Sequence, residues 1–479
     1  MKVYQSTESS ANKDMKDKKR HTLLIFISFF TLVFVATFLI RYLGGNPSLP
    51  GNEAYFTLGT ERNFFTDNEV INKNDLQNLI WPYLVHLLST LTRVEIAIVI
   101  LSYIFAILSI LIIYGILQRL NFENKNIFLL LFVISPITIW LFTTLSGTIL
   151  PSFLCLLTLY LLLSEKDSVA LFTLTLTILF GLVATIGVLL LILAFSRRYK
   201  FLFYTLGMGM VINAIYYYFV PIPLFSKFEI ANFFSLFSSL SSFGIGFFIF
   251  LLSMIGIIAT WRVKAERKRY FTIYASFIAL VLLSMSNKLF LFYVTFPLIY
   301  LSTIGFVTLV RREWQSKSIK VLTLAIIFAG LAINFVYTPV KVSQLEPSKE
   351  VLESLTWFQN EKEGSVLSHP DNGYFLEVIA NKKVFVNNYE QKTSSYIAGL
   401  ATEIFLSRDL EYLNRNIEEF NIEYIYITPD MKAGKVWKSD DEGLLFLLRY
   451  GGSFKNIYRK DGIEIWQRTR GVPEVEEPL

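Results

Sequence analysis

The chain has 479 residues, of which 53% are apolar and only 17% charged, with 44 Phe and a mean hydropathy of +0.50. Soluble domains run near 25% charged, so this chain buries its surface in lipid, and a disordered, collagen-like or disulfide-stapled chain is excluded. One cysteine, Cys155, cannot form an internal disulfide, and with three histidines it leaves little for a zinc site.

The net charge of +6 is unevenly divided. Residues 1–337 carry 27 Lys+Arg against 15 Asp+Glu, and residues 338–479 carry 17 against 23. The basic part is the apolar part, so its charge belongs to loops between membrane spans. The soluble part is acidic, which excludes a nucleic-acid partner, because that needs a basic face on a soluble domain.

In chain order, residues 1–21 form a basic tail (Lys13 to Arg20), followed by an apolar stretch at 22–42. No small-residue cleavage site follows it, so it reads as a retained first span. Further runs near 94–117, 126–143, 147–164, 168–181, 182–196, 201–220, 243–261, 270–286, 289–310 and 318–337 bring the expected number of spans to about eleven. The stretch 168–196 is too long for one upright span and short for two. Charge decides between them. Two helices place 21 of the 27 basic residues on the cytoplasmic side, whereas one helix places only 11 there. The expectation is therefore two short helices broken around Gly181 to Gly187. It gives a multi-pass protein of the cell membrane with a cytoplasmic N-terminus and outer loops near 43–93 and 221–242. The run RVKAERKR at 262–269 reads as a cytoplasmic anchor, and Tyr216, Tyr217 and Tyr218 as an aromatic belt. His86, in WPYLVHLLSTL, falls on an amphipathic helix at the membrane surface.

The span count places residues 338–471 outside as an extracytoplasmic domain, and from about 348 the composition is that of a soluble α/β domain. A helix opens after Pro347 with Ser348 as its cap. A strand (Ser365 to Ser368), the turn His369-Pro-Asp-Asn-Gly373 and a helix from Tyr374 follow. Lys383 to Asn387 is a strand, 402–420 a helix, Tyr424 to Thr428 a buried strand, and Asp440 to Tyr450 a helix. Phe454 to Arg459 and Ile463 to Gln467 form a hairpin through Asp461-Gly462. Alternating elements imply a layered α/β domain. No Gly-x-Gly-x-x-Gly or Walker sequence occurs, and 472–479 reads as a disordered tail.

Ionisable residues are rare in the spans, so those at the outer membrane edge carry most of the information. Glu53 lies in GNEAYFTLGTERNFF, Glu229 in SKFEIANFF, and Lys288 between two spans in MSNKLFLFY. Gathered at one cavity, two carboxylates could hold a divalent cation, and the cation with a lysine could neutralise a phosphate leaving group. A carboxylate could instead act as base on an acceptor hydroxyl.

The order of one span, a long outer loop opening on a G-x-E-x-Y stretch, many spans and a final α/β domain resembles the GT-C membrane glycosyltransferases. It is most similar to the archaeal and bacterial oligosaccharyltransferase catalytic subunits. The resemblance implies that Glu53, whose stretch is similar to the family's first-loop acidic stretch, binds a metal (Mn2+ or Mg2+). Ser226-Lys-Phe-Glu229 fits the family's S-x-x-E outer-loop form, which gives Glu229 to the metal and acceptor. Lys288 takes the place of a residue that binds the lipid-linked phosphate. His369-Pro-Asp371-Asn-Gly373 lies where the family has Trp-Trp-Asp-Tyr-Gly, so Asp371 and Gly373 would meet the acceptor. The chain departs from the family at Thr57 and Gly59, where a His and an Arg are expected. It departs again at Leu145 to Leu150, which lacks the second acidic motif. The implied partners are a sugar or oligosaccharide on a polyprenyl phosphate or diphosphate, membrane lipid, and an acceptor protein or glycan. Two rivals stand beside this reading. A non-catalytic GT-C-like scaffold or lipid-glycan binder fits the missing motif, whereas a transporter would need mid-span charges and paired broken helices.

Overall fold

The protein is described here by a computed structural model that covers residues 2–47, 49–63, 76–196, 198–219, 246–262, 267–388, 395–439 and 441–469. Glu229, the loop 221–242, residues 263–266 of the basic run and the tail 472–479 lie outside the described residues, as do the side chains of Tyr216, Tyr217 and Tyr218. The chain forms two compact units. One is helical and comprises Met1–Leu43, Asn74–Phe219 and Leu224–Ser343. The other comprises Gly44–Lys73, Val220–Pro223 and Gln344–Leu479 and contains the sheet.

In chain order the helices begin with α1 (Lys2–Leu43) and α2 (Gly51–Asn63), of which α2 belongs to the sheet unit. The helical unit continues with α3 (Leu76–Ser89), α4 (Val94–Arg119), α5 (Lys125–Ile134), α6 (Pro136–Thr143), α7 (Ile149–Leu163) and α8 (Asp167–Leu179). It ends with α9 (Leu182–Phe195), α10 (Tyr199–Phe219), α11 (Phe247–Trp261), α12 (Arg267–Ser286), α13 (Phe290–Arg311) and α14 (Lys317–Ser343). Among the described residues, every apolar run of the sequence falls on a helix or a helix pair. Residues His21–Leu43 of α1, with α4, α13 and α14, are each long and apolar enough to cross a membrane, and α5 with α6 makes a fifth crossing if that bent pair is one span.

Two breaks in this unit have local causes. The sequence suggests one helix over 126–143, but α5 and α6 meet at a bend of 58°. Pro136 has no N–H and its ring opposes a continuing helix, so the Ser135 N–H turns back to the Phe132 carbonyl at 3.3 Å instead. The expected break near Gly181 is present between α8 and α9, with Gly181 at φ +91°, ψ −170°, a conformation open to glycine alone.

Elsewhere small residues set the packing. A Cβ on Gly256 of α11 would lie 2.0 Å from the Leu301 carbonyl oxygen of α13, and one on Gly305 would lie 2.0 Å from that of Leu252. These two helices therefore cross backbone to backbone, the usual close contact between helices without a hydrophobic driving force. Arg41, 1% exposed at the end of α1, donates from Nη1 to the Ser343 carbonyl at the end of α14 (3.0 Å). A cation there answers the negative end of the α14 dipole.

The sheet unit is built on five strands: β1 (Ser365–Leu367), β2 (Lys383–Val384), β3 (Ile422–Ile427), β4 (Phe454–Lys460) and β5 (Ile463–Arg468), in the order β2-β1-β3-β5-β4. β1 is parallel to β2 and β3, while β5 is antiparallel to β3 and β4. The helices are α15 (Lys349–Gln359), α16 (Gly373–Val378), α17 (Ser395–Leu406), α18 (Leu410–Glu419) and α19 (Gly443–Tyr450). Ser348 caps α15 as expected, its hydroxyl accepting from the Val351 N–H at 3.4 Å. The hairpin turns at Asp461 and Gly462, both at positive φ (51° and 78°), as a tight primed turn requires. The single helix expected at 402–420 is two, and Asp409 caps the second by accepting from the Glu411 and Tyr412 N–H groups. Trp437, Ile404, Leu413, Ile425 and Leu444 sit in one apolar core.

The start of the expected first loop is not a loop. Residues 51–63 form α2, which packs on α16 through Tyr55 against Phe375 (5.1 Å between rings) and Phe56 against Tyr374 (5.2 Å). The Gly51 N–H donates to the Glu346 carbonyl at 2.7 Å. The alternation of apolar and small residues in GNEAYFTLGTERN gave this helix a weak amphipathic signature. Its burial comes from α16, more than 300 positions away.

Candidate active site

Asp371 sits where a parallel strand hands over to a helix. β1 ends at Leu367, Ser368 donates to the Tyr426 carbonyl on β3 (2.8 Å), and Asn372 donates from Nδ2 to the Ser368 hydroxyl (3.0 Å). The His369 Nδ1 accepts from the Asp371 N–H at 3.2 Å, opening a single helical turn at Pro370–Asn372. The turn is thus fixed at both flanks by side-chain bonds, and it presents Asp371 beyond the carboxyl end of β1. In α/β sheets ligands bind at that end of the strands.

The matching end of β3 supplies a partner that the sequence reading missed. After β3 the chain makes a tight turn over Met431–Lys435, with Gly434 at φ +109°, and Lys435 Nζ reaches Asp371 Oδ2 at 2.5 Å. His369 Nδ1 lies 3.5 Å from the same oxygen. Burial pushes the Asp371 carboxyl up, but hydrogen bonding to Lys435 and the charges of Lys435 and His369 outweigh it, and the group stays below its ordinary value. His369 is held below its ordinary value by burial and by the Lys435 charge, with Asp371 opposing. Its role as acceptor at Nδ1 agrees with a neutral ring. A strand-end Gly-Lys turn beside a second strand-end acid was the only signal for Lys435.

A cavity of about 450 Å³ opens beside this turn, lined by Asp371, Asn372, Thr428, Asp430, Lys435 and Glu346 among others. Gly51 and Asn52, the first turn of α2, also line it. It combines hydrogen-bonding groups of both signs with the Phe375 ring, which suits a polar ligand better than an apolar one.

Gly373 has a steric role. A Cβ there would lie 2.6 Å from the Asn387 Cβ and 2.8 Å from its Cα. The first turn of α16 therefore needs glycine for space, its φ of −54° being ordinary.

The remaining candidates are placed separately. Glu53 is exposed in the first turn of α2, next to Asn52 and in the same unit as Asp371. Lys288 is exposed in the turn between α12 and α13 of the helical unit, where Asn287 Oδ1 accepts from the Leu289 N–H at 3.0 Å. Glu229 lies outside the described residues. Among the described residues no three or more His, Cys, Asp or Glu side chains gather as a metal site. A carboxylate in the first turn of a helix, exposed as Glu53 is, has the chemistry to serve as one oxygen ligand of a hard cation. The turn at Leu145 to Thr148 holds hydroxyls in place of an acid, with Ser146 and Thr148 3.0 Å apart. His86 lies in the last turn of α3, whose Trp81 is buried with its ring against Gly147.

No protein-family model and no curated protein matches the chain. Solved structures do. The apo oligosaccharyltransferase of Archaeoglobus fulgidus superposes on 93% of this chain and 74% of its own, at a TM-score of 0.57 and 14% identity. The same organism's oligosaccharyltransferase AglB, solved with an inhibitory peptide and a dolichol-phosphate, covers 93% and 75% at a TM-score of 0.56 and 14% identity. The mycobacterial arabinofuranosyltransferase AftD matches 93% of this chain but 40% of its own, at a TM-score of 0.51 and 13% identity. The chain has the fold of these GT-C glycosyltransferases. The resemblance drawn from the sequence therefore holds for the fold, across the helical unit and the sheet unit alike.

Proposed function

We propose that the protein is a membrane glycosyltransferase that moves a sugar or oligosaccharide from a polyprenyl phosphate or diphosphate to an acceptor protein or glycan on the extracytoplasmic side. The observation that supports this most is the likeness over 93% of the chain to an oligosaccharyltransferase whose solved complex holds a peptide and a dolichol-phosphate. Apolar helices suit a donor that enters from lipid, and a lipid carrier removes the need for a nucleotide-sugar fold. The acceptor would lie in the cavity beside Asp371, with Gly373 keeping the turn in place and Lys435 pairing with the carboxylate. Glu53 and Glu229 would hold Mn2+ or Mg2+, which when bound supplies charge neutralisation to the departing phosphate. Lys288 would add a cation to that phosphate.

The test is transfer from a polyprenyl-linked sugar by the purified protein in membranes, with and without EDTA. Loss of transfer on chelation, and a fall of about a hundredfold or more in Glu53→Gln, is expected for an acid in the reacting machinery. Transfer that survives both removes the metal from the reading. The uncharged turn at Ser146 to Thr148 favours a second reading, a non-catalytic lipid-glycan binder of the same fold. That reading predicts donor binding without turnover under every metal condition.

A further inference from the structure

The sheet unit has a second cavity, larger than the first and at the other end of the sheet. It lies where the parallel strands begin, lined by Ser365 at the start of β1, Lys383 at the start of β2 and Asn421 just before β3. Its volume of about 1180 Å³ exceeds the usual range of about 300–1,000 Å³ for small-molecule sites. That size suits an extended ligand.

The charges of the lining cancel. Glu363, Glu418 and Glu423 face Lys382, Lys383 and Arg468. Two of the cations are already engaged. Lys382 donates to the Glu361 and Lys362 carbonyls (2.6 and 2.9 Å), and Arg468 holds Glu418 at 2.6 Å. A phosphate, a nucleic acid or a polyanion would find no surplus of positive charge here.

What remains is dense in neutral hydrogen-bonding groups. Asn381, Asn414 and Asn421 contribute amides, each with donors and an acceptor. Asn381 and Asn421 are both held at φ +51°, so their amides project from fixed turns. One ring, Phe420, is half-buried and braced edge-on against Phe385 at 5.2 Å. Small-molecule pockets are mostly apolar, and this lining is not. A peptide added as a strand would need a long free edge, yet the edge strand here, β2, is two residues long. Paired donors and acceptors, no net charge and a single ring suit a ligand bearing many hydroxyls.

We infer that this groove binds a neutral oligosaccharide, at a site separate from the Asp371 cavity and whether or not the protein transfers a sugar. The test uses the full chain in lipid nanodiscs, with maltopentaose, mannopentaose and chitopentaose as probes in saturation-transfer NMR and titration calorimetry. At least one probe is expected to bind, and the double variant Asn381→Gly/Asn421→Gly is expected to weaken it about fivefold or more. Glycine tolerates the positive φ at both positions. The loss of the hydrogen bonds that two amides offer the probe sets that factor. Should the double variant unfold on circular dichroism, Asn414→Ala, which removes the third lining amide, takes its place under the same criterion. Failure of all three probes to bind, an unchanged affinity in the variant, or displacement of the probe by pentaalanine would each overturn the inference.

Discussion

Gly373→Ala is the sharpest test of how the candidate site is held. The added Cβ would sit 2.6 Å from the Asn387 Cβ, and ordinary contact begins near 3.4 Å, so the turn and the segment after β2 must part by about 0.8 Å. Neither neighbour is a flexible side-chain tip. The second contact, 2.8 Å from the Asn387 Cα, is backbone. Forced overpacking of this kind costs about 1–3 kcal/mol. A tenfold change in an equilibrium constant is about 1.4 kcal/mol, so hydrogen exchange of β1 and α16 peptides should speed up by roughly fivefold to a hundredfold. Gly399→Ala is the control. It lies in α17 with nothing within 4 Å of its Cβ, so it should slow exchange locally or leave it unchanged. Because Asp371 lies two residues upstream, Gly373→Ala should also displace the carboxylate from Lys435. Equal exchange rates in the two alanine variants would refute the claim that space fixes this turn.

Lys435→Met should shift the acid side of the stability profile. The Asp371 pKa is lowered in the folded protein, so its contribution is present above the ordinary carboxylate range and is lost as pH falls through the folded value. The His369 pKa is lowered as well, and protonating it at acid pH costs stability in the same direction. Without the lysine charge both groups should titrate at higher pH, with a carboxylate resonance of Asp371 in NMR moving upward; an unmoved resonance would contradict the pairing. In the helical unit, Gly256→Ala and Gly305→Ala should each lower the melting temperature, and the double variant should cost less than their sum because both press on the same crossing. Gly207→Ala on α10, with nothing within 4 Å, should not lower it. Arg41→Met should cost about 1–3 kcal/mol by leaving the Ser343 carbonyl buried without that donor, read as a lower melting temperature in detergent.

Much of the helical unit was legible because lipid imposes a simple rule: about 20 apolar residues per crossing, with charges left at the ends. The rule located the runs on which the helices lie, and the basic-residue count found the break at Gly181 that hydropathy alone had blurred. It passed over the break at Pro136, since a window average responds to apolarity and not to a missing N–H. The strands of the sheet unit were legible from local pattern, and the Ser348 cap and the Asp461-Gly462 turn from residue chemistry. Helix α2 was not, because its burial is supplied by α16 at Tyr55 and Phe56, a tertiary partner that no local period announces.

The candidate site shows the same limit at closer range. Asp371 could be picked out only because its turn resembles a family motif, whereas Lys435 lies 64 positions on in a segment with no periodicity, and the two meet only because β1 and β3 run parallel and side by side. Parallel neighbours bring their carboxyl ends to one edge, so an acid after one strand and a lysine after the next become neighbours by topology. Had β3 run antiparallel to β1, the Met431–Lys435 turn would emerge at the opposite edge, by the Asn381 and Asn421 groove, and Asp371 would lose the lysine that lowers its pKa. The pairing at the candidate site is thus set by strand direction. That is why a reading built on a family resemblance could name the carboxylate and still miss the lysine that pairs with it.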